Sequence, residues 1–141
     1  ESLQPDSKCY QLQGIKRANA AEQFHSYAVA CFEKLQTIIK SKPQGKVFVQ
    51  IVVSDSHKRS MLIGLSGLLH TAMLENPNLL GQLILTDNMT DLVDRLRLEQ
   101  YRAQDTIIQY LQGNRNILQW QFTQESSESF KNPATARGCC K

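Results

Sequence analysis

The sequence predicts an α/β fold: a mainly parallel sheet flanked by helices and ending in a β-hairpin. Three observations lead there. Apolar residues switch repeatedly between the two-residue period of strands and the three-to-four-residue period of helices. The run Lys46 to Val53, KVFVQIVV, is almost continuously β-branched or aromatic, the signature of a strand covered on both faces. Two alternating segments, Thr106 to Leu111 and Asn116 to Phe122, bracket Gln112-Gly113-Asn114-Arg115, a good hairpin turn. At 141 residues, 41% hydrophobic and 21% charged, the chain suits one domain with one core.

Each element has a local cause. Glu1 to Lys8 is polar and contains Pro5, so residues 1–8 read as a linker or the edge of something longer. Cys9 to Ile15 alternates as a short strand. From Asn19, residues Phe24, Tyr27, Ala28, Cys31, Leu35, Ile38 and Ile39 mark one face of a long helix. Asn19 with Glu22 forms a capping-box start, and Ser41-Lys42-Pro43-Gln44-Gly45 stops the helix. The strand to Val53 should be central. A helix from about Ser60 to Glu75 carries Leu62, Leu65, Leu68, Leu69 and Ala72 inward, and Asn76-Pro77-Asn78 ends it. Leu80 to Thr86 is the next strand. Thr90 or Asp91 caps a helix to about Tyr101, with Leu92, Val93 and Leu96 facing inward. The connections are short enough for right-handed crossovers. Residues 9–122 therefore form the domain, and the polar stretch 123–141 a tail or linker.

Composition narrows the function classes. The net charge of +3 is spread out, its densest basic runs being Lys16-Arg17, His57-Lys58-Arg59 and Arg95-x-Arg97, which argues against nucleic-acid binding. No apolar run approaches the roughly 20 residues of a membrane span. A cytoplasmic location with reduced thiols is the default, since Cys9, Cys31, Cys139 and Cys140 fit neither a CxxC motif nor zinc-ligand spacing. Gly138-Cys139-Cys140-Lys141 is a poor prenylation signal.

The search for chemistry returns little. No strand runs into G-x-G-x-x-G or G-x-x-x-x-G-K-[ST], whose glycines let backbone N–H groups approach phosphate, so no cofactor is expected. Gly64-Leu65-Ser66-Gly67 lies inside a helix and is better explained by close packing against the sheet. Ser54-Asp55-Ser56-His57 follows the strongest strand, where an α/β enzyme places catalytic groups, yet consecutive residues on a turn point in different directions. His25 and His70 have no ligating partner at helical spacing. Of the acids Asp87, Asp91 and Asp94, Asp91 suits a helix start and Asp94 its outer face. Tyr110 and Asn114 make a Tyr-x-x-x-Asn pattern on the hairpin rather than on a helix, so the match to a reductase motif is accidental.

The run Gly64-Leu65-Ser66-Gly67-Leu68-Leu69-His70-Thr71-Ala72-Met73-Leu74-Glu75-Asn76-Pro77, followed by Gly81-Gln82-Leu83-Ile84, resembles the structural subdomain of modular polyketide synthase ketoreductases, closest to the trans-acyltransferase type. Lys42-Pro43-Gln44-Gly45-Lys46 and the strand to Val53 resemble it too, as do Ile108, Tyr110, Gly113, Arg115 and Trp120. The resemblance spans about residues 9 to 122. It implies a truncated Rossmann-like half that binds no NADPH and supports a second half carrying the dinucleotide loop and the catalytic Ser and Tyr. Its motif residues, Gly67, Leu68, Leu69, Glu75, Asn76, Pro77, Gly81, Gln82, Tyr110, Gly113 and Trp120, would be structural. The earlier strand-helix unit of that family is absent or reduced before Cys9, and nothing after Phe122 begins a dinucleotide loop. An excised subdomain and a shortened pseudo-ketoreductase both remain open.

Three functions follow. The first is a non-catalytic scaffold for neighbouring synthase domains, such as a catalytic ketoreductase half, dehydratase, methyltransferase or carrier protein. The second is a small independent hydrolase-like enzyme using Ser54 to His57, and the third a free-standing nucleotide or acidic-partner module. The scaffold predicts an unusually large exposed apolar face, and the enzyme a closed pocket with convergent polar groups.

Overall fold

The computed structural model describes residues 7–13, 19–54 and 57–119. Its elements run α1 (Ala20–Lys40), β1 (Val47–Val53), α2 (Arg59–Leu62), α3 (Leu65–Glu75), β2 (Leu79–Thr86), α4 (Leu92–Gln100), β3 (Ile107–Leu111) and β4 (Asn114–Ile117). The sheet order is β1-β2-β3-β4, parallel through β3 and antiparallel for the last pair. The α/β class, the parallel sheet and the closing hairpin are therefore as the sequence predicts.

The capping box of α1 forms in full. Asn19 Oδ1 accepts the Glu22 N–H at 2.9 Å, and Glu22 Oε2 accepts the Asn19 N–H at 3.2 Å. Each bond satisfies a backbone donor that the first turn of a helix leaves open. Asn19→Ala should lower stability by about 1 kcal/mol, read as a lower denaturation midpoint at unchanged slope. At the other end, Lys42 adopts the left-handed φ of 47° just ahead of Pro43, and the chain leaves the helix.

In β1, β2 and β3 the odd-numbered residues face α1 and α3. Cys31, Leu35, Leu65, Leu69, Val53, Leu79, Leu83 and Leu85 form that core, and the partly buried Val49, Ile51 and Ile107 extend it. The even-numbered residues of these three strands face α4, where Leu96 packs on Ile84, Ile108 and Tyr110. Both helical crossovers step the same way across the sheet yet lie on opposite faces, so they differ in hand. The expectation that both are right-handed fails for one of them.

Several local expectations are corrected. Residues 9–13 form no strand; Leu12 instead packs against the core, and Lys34 Nζ lies 4.1 Å from the Tyr10 ring centre. Residues 14 and 15 lie outside the described residues. β1 is not central: among the described strands it is the sheet edge, and β2, paired on both sides, holds the middle. An apolar run reports what covers a strand's faces, whereas edge position depends on strand order. The long helix after β1 is two pieces, broken at Ile63 and Gly64, where Ser66 and Gly67 make three-residue backbone bonds to Ile63 and Gly64.

Asp91 does not cap α4. It holds a left-handed φ of 57° and makes no capping bond through its side chain. Asn88 organises the approach instead, its Oδ1 accepting the Thr90 N–H at 2.8 Å. Val93 is exposed, and the inward position one turn beyond Leu96 is taken by Glu99, which is 0% exposed. The hairpin turn is only Gln112 and Gly113, with φ of 50° and 81°. Positive φ at both central residues is the two-residue geometry whose twist matches paired strands. Asn114 and Arg115 therefore open β4, which ends at Ile117; residues 120–122 of the strand expected to reach Phe122 lie outside the described residues.

Candidate functional site

The centre of the sheet buries polar residues under α4. Gln82, 0% exposed on β2, donates from Nε2 to the carbonyls of Glu99 and Arg102, both at 3.0 Å. Its Oε1 accepts from Gln50 Nε2 at 3.0 Å, which also donates to the Leu96 carbonyl at 3.0 Å. Two glutamines on adjacent strands thus tie the end of α4 to the sheet, where helix carbonyls otherwise lack partners.

Glu99 is the second half of this arrangement. Arg115 grips it bidentately, Nε to Oε1 and Nη2 to Oε2, both at 2.7 Å. Tyr110, directly across from Arg115 in the hairpin, donates its hydroxyl to Glu99 Oε1. Arg115 Nη2 also reaches Asp105 Oδ2 at 2.6 Å. Burial alone would raise the Glu99 pKa, but the bonds from Arg115 and Tyr110 outweigh it and hold the carboxyl below its usual range. Burial, then the Glu99 carboxylate, pushes the Tyr110 phenol up, and the same carboxylate raises Arg115. Asn114 sits opposite Leu111 at the exposed start of β4, so the Tyr-x-x-x-Asn spacing of Tyr110 and Asn114 spans a hairpin rather than one turn of a helix.

Open α/β sheets bind ligands at the carboxyl ends of their parallel strands. There Ser54 and His57 are both exposed, while Asp55 and Ser56 lie outside the described residues. Asp87, just past β2, accepts the Gln112 N–H at 2.8 Å. That bond, helped by the fields of Arg59 and Arg95, lowers its pKa. Asp94 is exposed and 3.7 Å from Arg97. His25 and His70 are exposed on α1 and α3, and no metal-holding group of acids, histidines and cysteines occurs among the described residues. Shallow depressions lie elsewhere, along α1, one of them running between Phe32, Leu68 and Gly67. No helix of the described residues is long and apolar enough to cross a membrane.

The motif residues divide by what they touch. Gly81 is buried where a Cβ would come within 3.1 Å of Leu69, itself 2% exposed, so the strand and α3 pack backbone to side chain. Gly64 meets the Phe24 ring of α1, and Gly67 meets nothing within 4 Å. Packing against the sheet is thus the wrong reason for both. Leu68 is partly buried against the core. Glu75 is exposed at the end of α3, and Asn76 accepts the Asn78 N–H at 3.0 Å in the turn with Pro77. Gly113 supplies the left-handed turn, and Trp120 lies outside the described residues. Glu99 escaped the sequence reading altogether. Its signal was present: with Leu92 and Leu96 it falls on the inward stripe of α4, an acid where apolar residues belong.

Two polyketide synthases of Bacillus subtilis (strain 168) match this chain, each 37% identical. PksN matches over 120 residues, 83% of the chain, and PksL over 123 residues, 85% of the chain. The chain is homologous to a segment of these polyketide synthases. It spans 2% of PksN and 3% of PksL. Among solved structures, a ketoreductase domain from the bacillaene assembly line matches with a TM-score of 0.66 and 29% identity, covering 71% of this chain and 25% of that one. The sheet and its flanking helices thus have a ketoreductase Rossmann-like fold. No protein-family model matches the chain.

Proposed function

We propose that the chain is the structural, non-catalytic subdomain of a polyketide synthase ketoreductase and acts in polyketide biosynthesis by supporting its neighbours. The candidates are the catalytic ketoreductase half, a dehydratase, a methyltransferase or a carrier protein. One observation carries this reading: the polar side chains Gln50, Gln82, Glu99, Tyr110 and Arg115 bond to one another and to the C-terminal end of α4. Such groups hold helix and hairpin to the sheet. The motif residues follow suit, Gly81 and Leu69 serving close approach, Asn76, Pro77 and Gly113 serving turns, and Gln82 and Tyr110 serving the buried network. The homology to PksN and PksL supports the biosynthetic setting, and the remaining three quarters of the matched ketoreductase is where the reading places the chemistry.

The expected result is that the purified chain shows neither saturable NADPH binding by fluorescence titration nor turnover of a keto substrate. Joined to the rest of the ketoreductase, it should raise that enzyme's melting temperature. Turnover or saturable NADPH binding by the chain alone would overturn the reading.

A further inference from the structure

On their outer side α1 and α3 border a shallow groove, with Ala28, Val29 and Phe32 on one wall and Gly67, Leu68 and Thr71 on the other. Phe32 is 50% exposed and Val29 39%, large apolar surface that the fold leaves in water. None of the described lining residues carries a charge. The one hydroxyl among them, on Thr71, already donates to the Gly67 carbonyl at 3.0 Å.

The walls select the occupant. Both are helices, whose backbone groups bond within the helix, and even at the start of α3 the carbonyls of Ile63 and Gly64 hold the N–H groups of Ser66 and Gly67. An extended peptide would find no backbone partner there, so the occupant must satisfy its own backbone, as a helix does. The groove is too shallow to enclose a small molecule and offers it no free polar group for orientation. At Gly67 a Cβ would meet nothing within 4 Å. Glycine inside a helix weakens it, and here no turn or internal contact requires one. It does leave a hollow in which the ridge of a third helix can seat at close axial distance.

We propose that the groove between α1 and α3 receives an apolar helix ridge from the catalytic half of the ketoreductase, seated over Gly67 between Phe32 and Leu68. This contact rests on the structural-subdomain reading and adds to it the place and the chemistry of the docking. The length of chain outside the structure favours that partner. This chain covers 25% of the matched ketoreductase domain, so on that reading most of the same polypeptide lies beside it. A tethered neighbour meets the groove at high effective concentration, which favours it over a second copy of this chain.

The test compares the full 141-residue chain alone with the ketoreductase in which it is joined to the catalytic half. Hydroxyl-radical footprinting at matched dose, read by mass spectrometry, follows Phe32 and Leu68. On joining, the oxidation rate of Phe32 should fall by about fivefold or more as a half-exposed ring enters the dry core of an interface. Gly67→Leu fills the hollow from an exposed helix position. It should leave the melting temperature of the isolated chain no lower, while most of the rise gained on joining is lost. A rise on joining with Phe32 still oxidised at its isolated rate overturns this contact and leaves the structural reading standing, as does a rise that Gly67→Leu does not reduce. No rise for the wild-type chain overturns both. Oxidation of Phe32 that falls with the concentration of the isolated chain assigns the groove to a second copy and also overturns the contact.

Discussion

Glu99→Ala should destabilise the chain by about 3–5 kcal/mol, the largest effect of any single polar substitution here. The size follows from what is left behind. Removing the carboxylate strands the Arg115 fork, 21% exposed, without its bidentate partner, and leaves the Tyr110 hydroxyl, 8% exposed, without an acceptor. Asp105 still holds one Arg115 nitrogen, which keeps the loss short of a fully orphaned charge. Glu99→Gln preserves the shape and one acceptor, so it should cost less than the alanine while still removing the ion pair. The cost is measurable as the difference in unfolding free energy by denaturant titration.

The same carboxylate sets a pH dependence. Its folded pKa is lowered, so its stabilisation is complete above the unfolded value of about 4.3 and is lost as pH falls through the folded value. The wild-type chain should therefore lose stability on acidification from about pH 4 downward, and Glu99→Gln should lose less over that window. A variant whose acid profile matched the wild type would show that other carboxylates carry the acid response.

The fold was legible where local chemistry decides it. Asn19 and Glu22 cap α1 as their spacing requires, the Asn76-Pro77-Asn78 turn falls where proline forces it, and β2 and β3 lie within a residue or so of their apolar runs. The misreadings arise where the outcome depends on partners distant in sequence. Cys9 to Ile15 alternates like a strand, but backbone pairing needs a neighbour, and residues 9–13 are in no strand while Leu12 packs against the core. β1 looks more buried than β2 in sequence, yet of the two it is β2 that has strands on both sides. Glu99 reads as one more surface acid because Arg115 and Tyr110, 16 and 11 residues away, are needed to neutralise it. Arg115 in turn was assigned to a turn, because a two-residue hairpin and a four-residue one look alike until the φ angles of Gln112 and Gly113 are seen.

Gly81→Val should cost about 1–3 kcal/mol, because its side chain would enter a space already filled. A Cβ there would lie 3.1 Å from Leu69 Cδ2, 3.3 Å from Leu69 Cβ and 3.3 Å from Met73 Sδ. The methionine sulfur can swing aside, but the Leu69 Cβ is fixed to α3, so the helix itself must back away from the sheet. That movement would loosen Leu65 and Ala72, which share the same buried face. Gly67, fourteen residues earlier in the same motif, predicts the reverse. Nothing lies within 4 Å of its Cβ position, so Gly67→Ala should raise stability by about 0.5–1 kcal/mol through the gain in helix propensity. Thermal unfolding of the two variants side by side would tell the glycine that the packing demands from the one it merely tolerates. Equal destabilisation by both would mean that α3 does not sit on the sheet at the distance described.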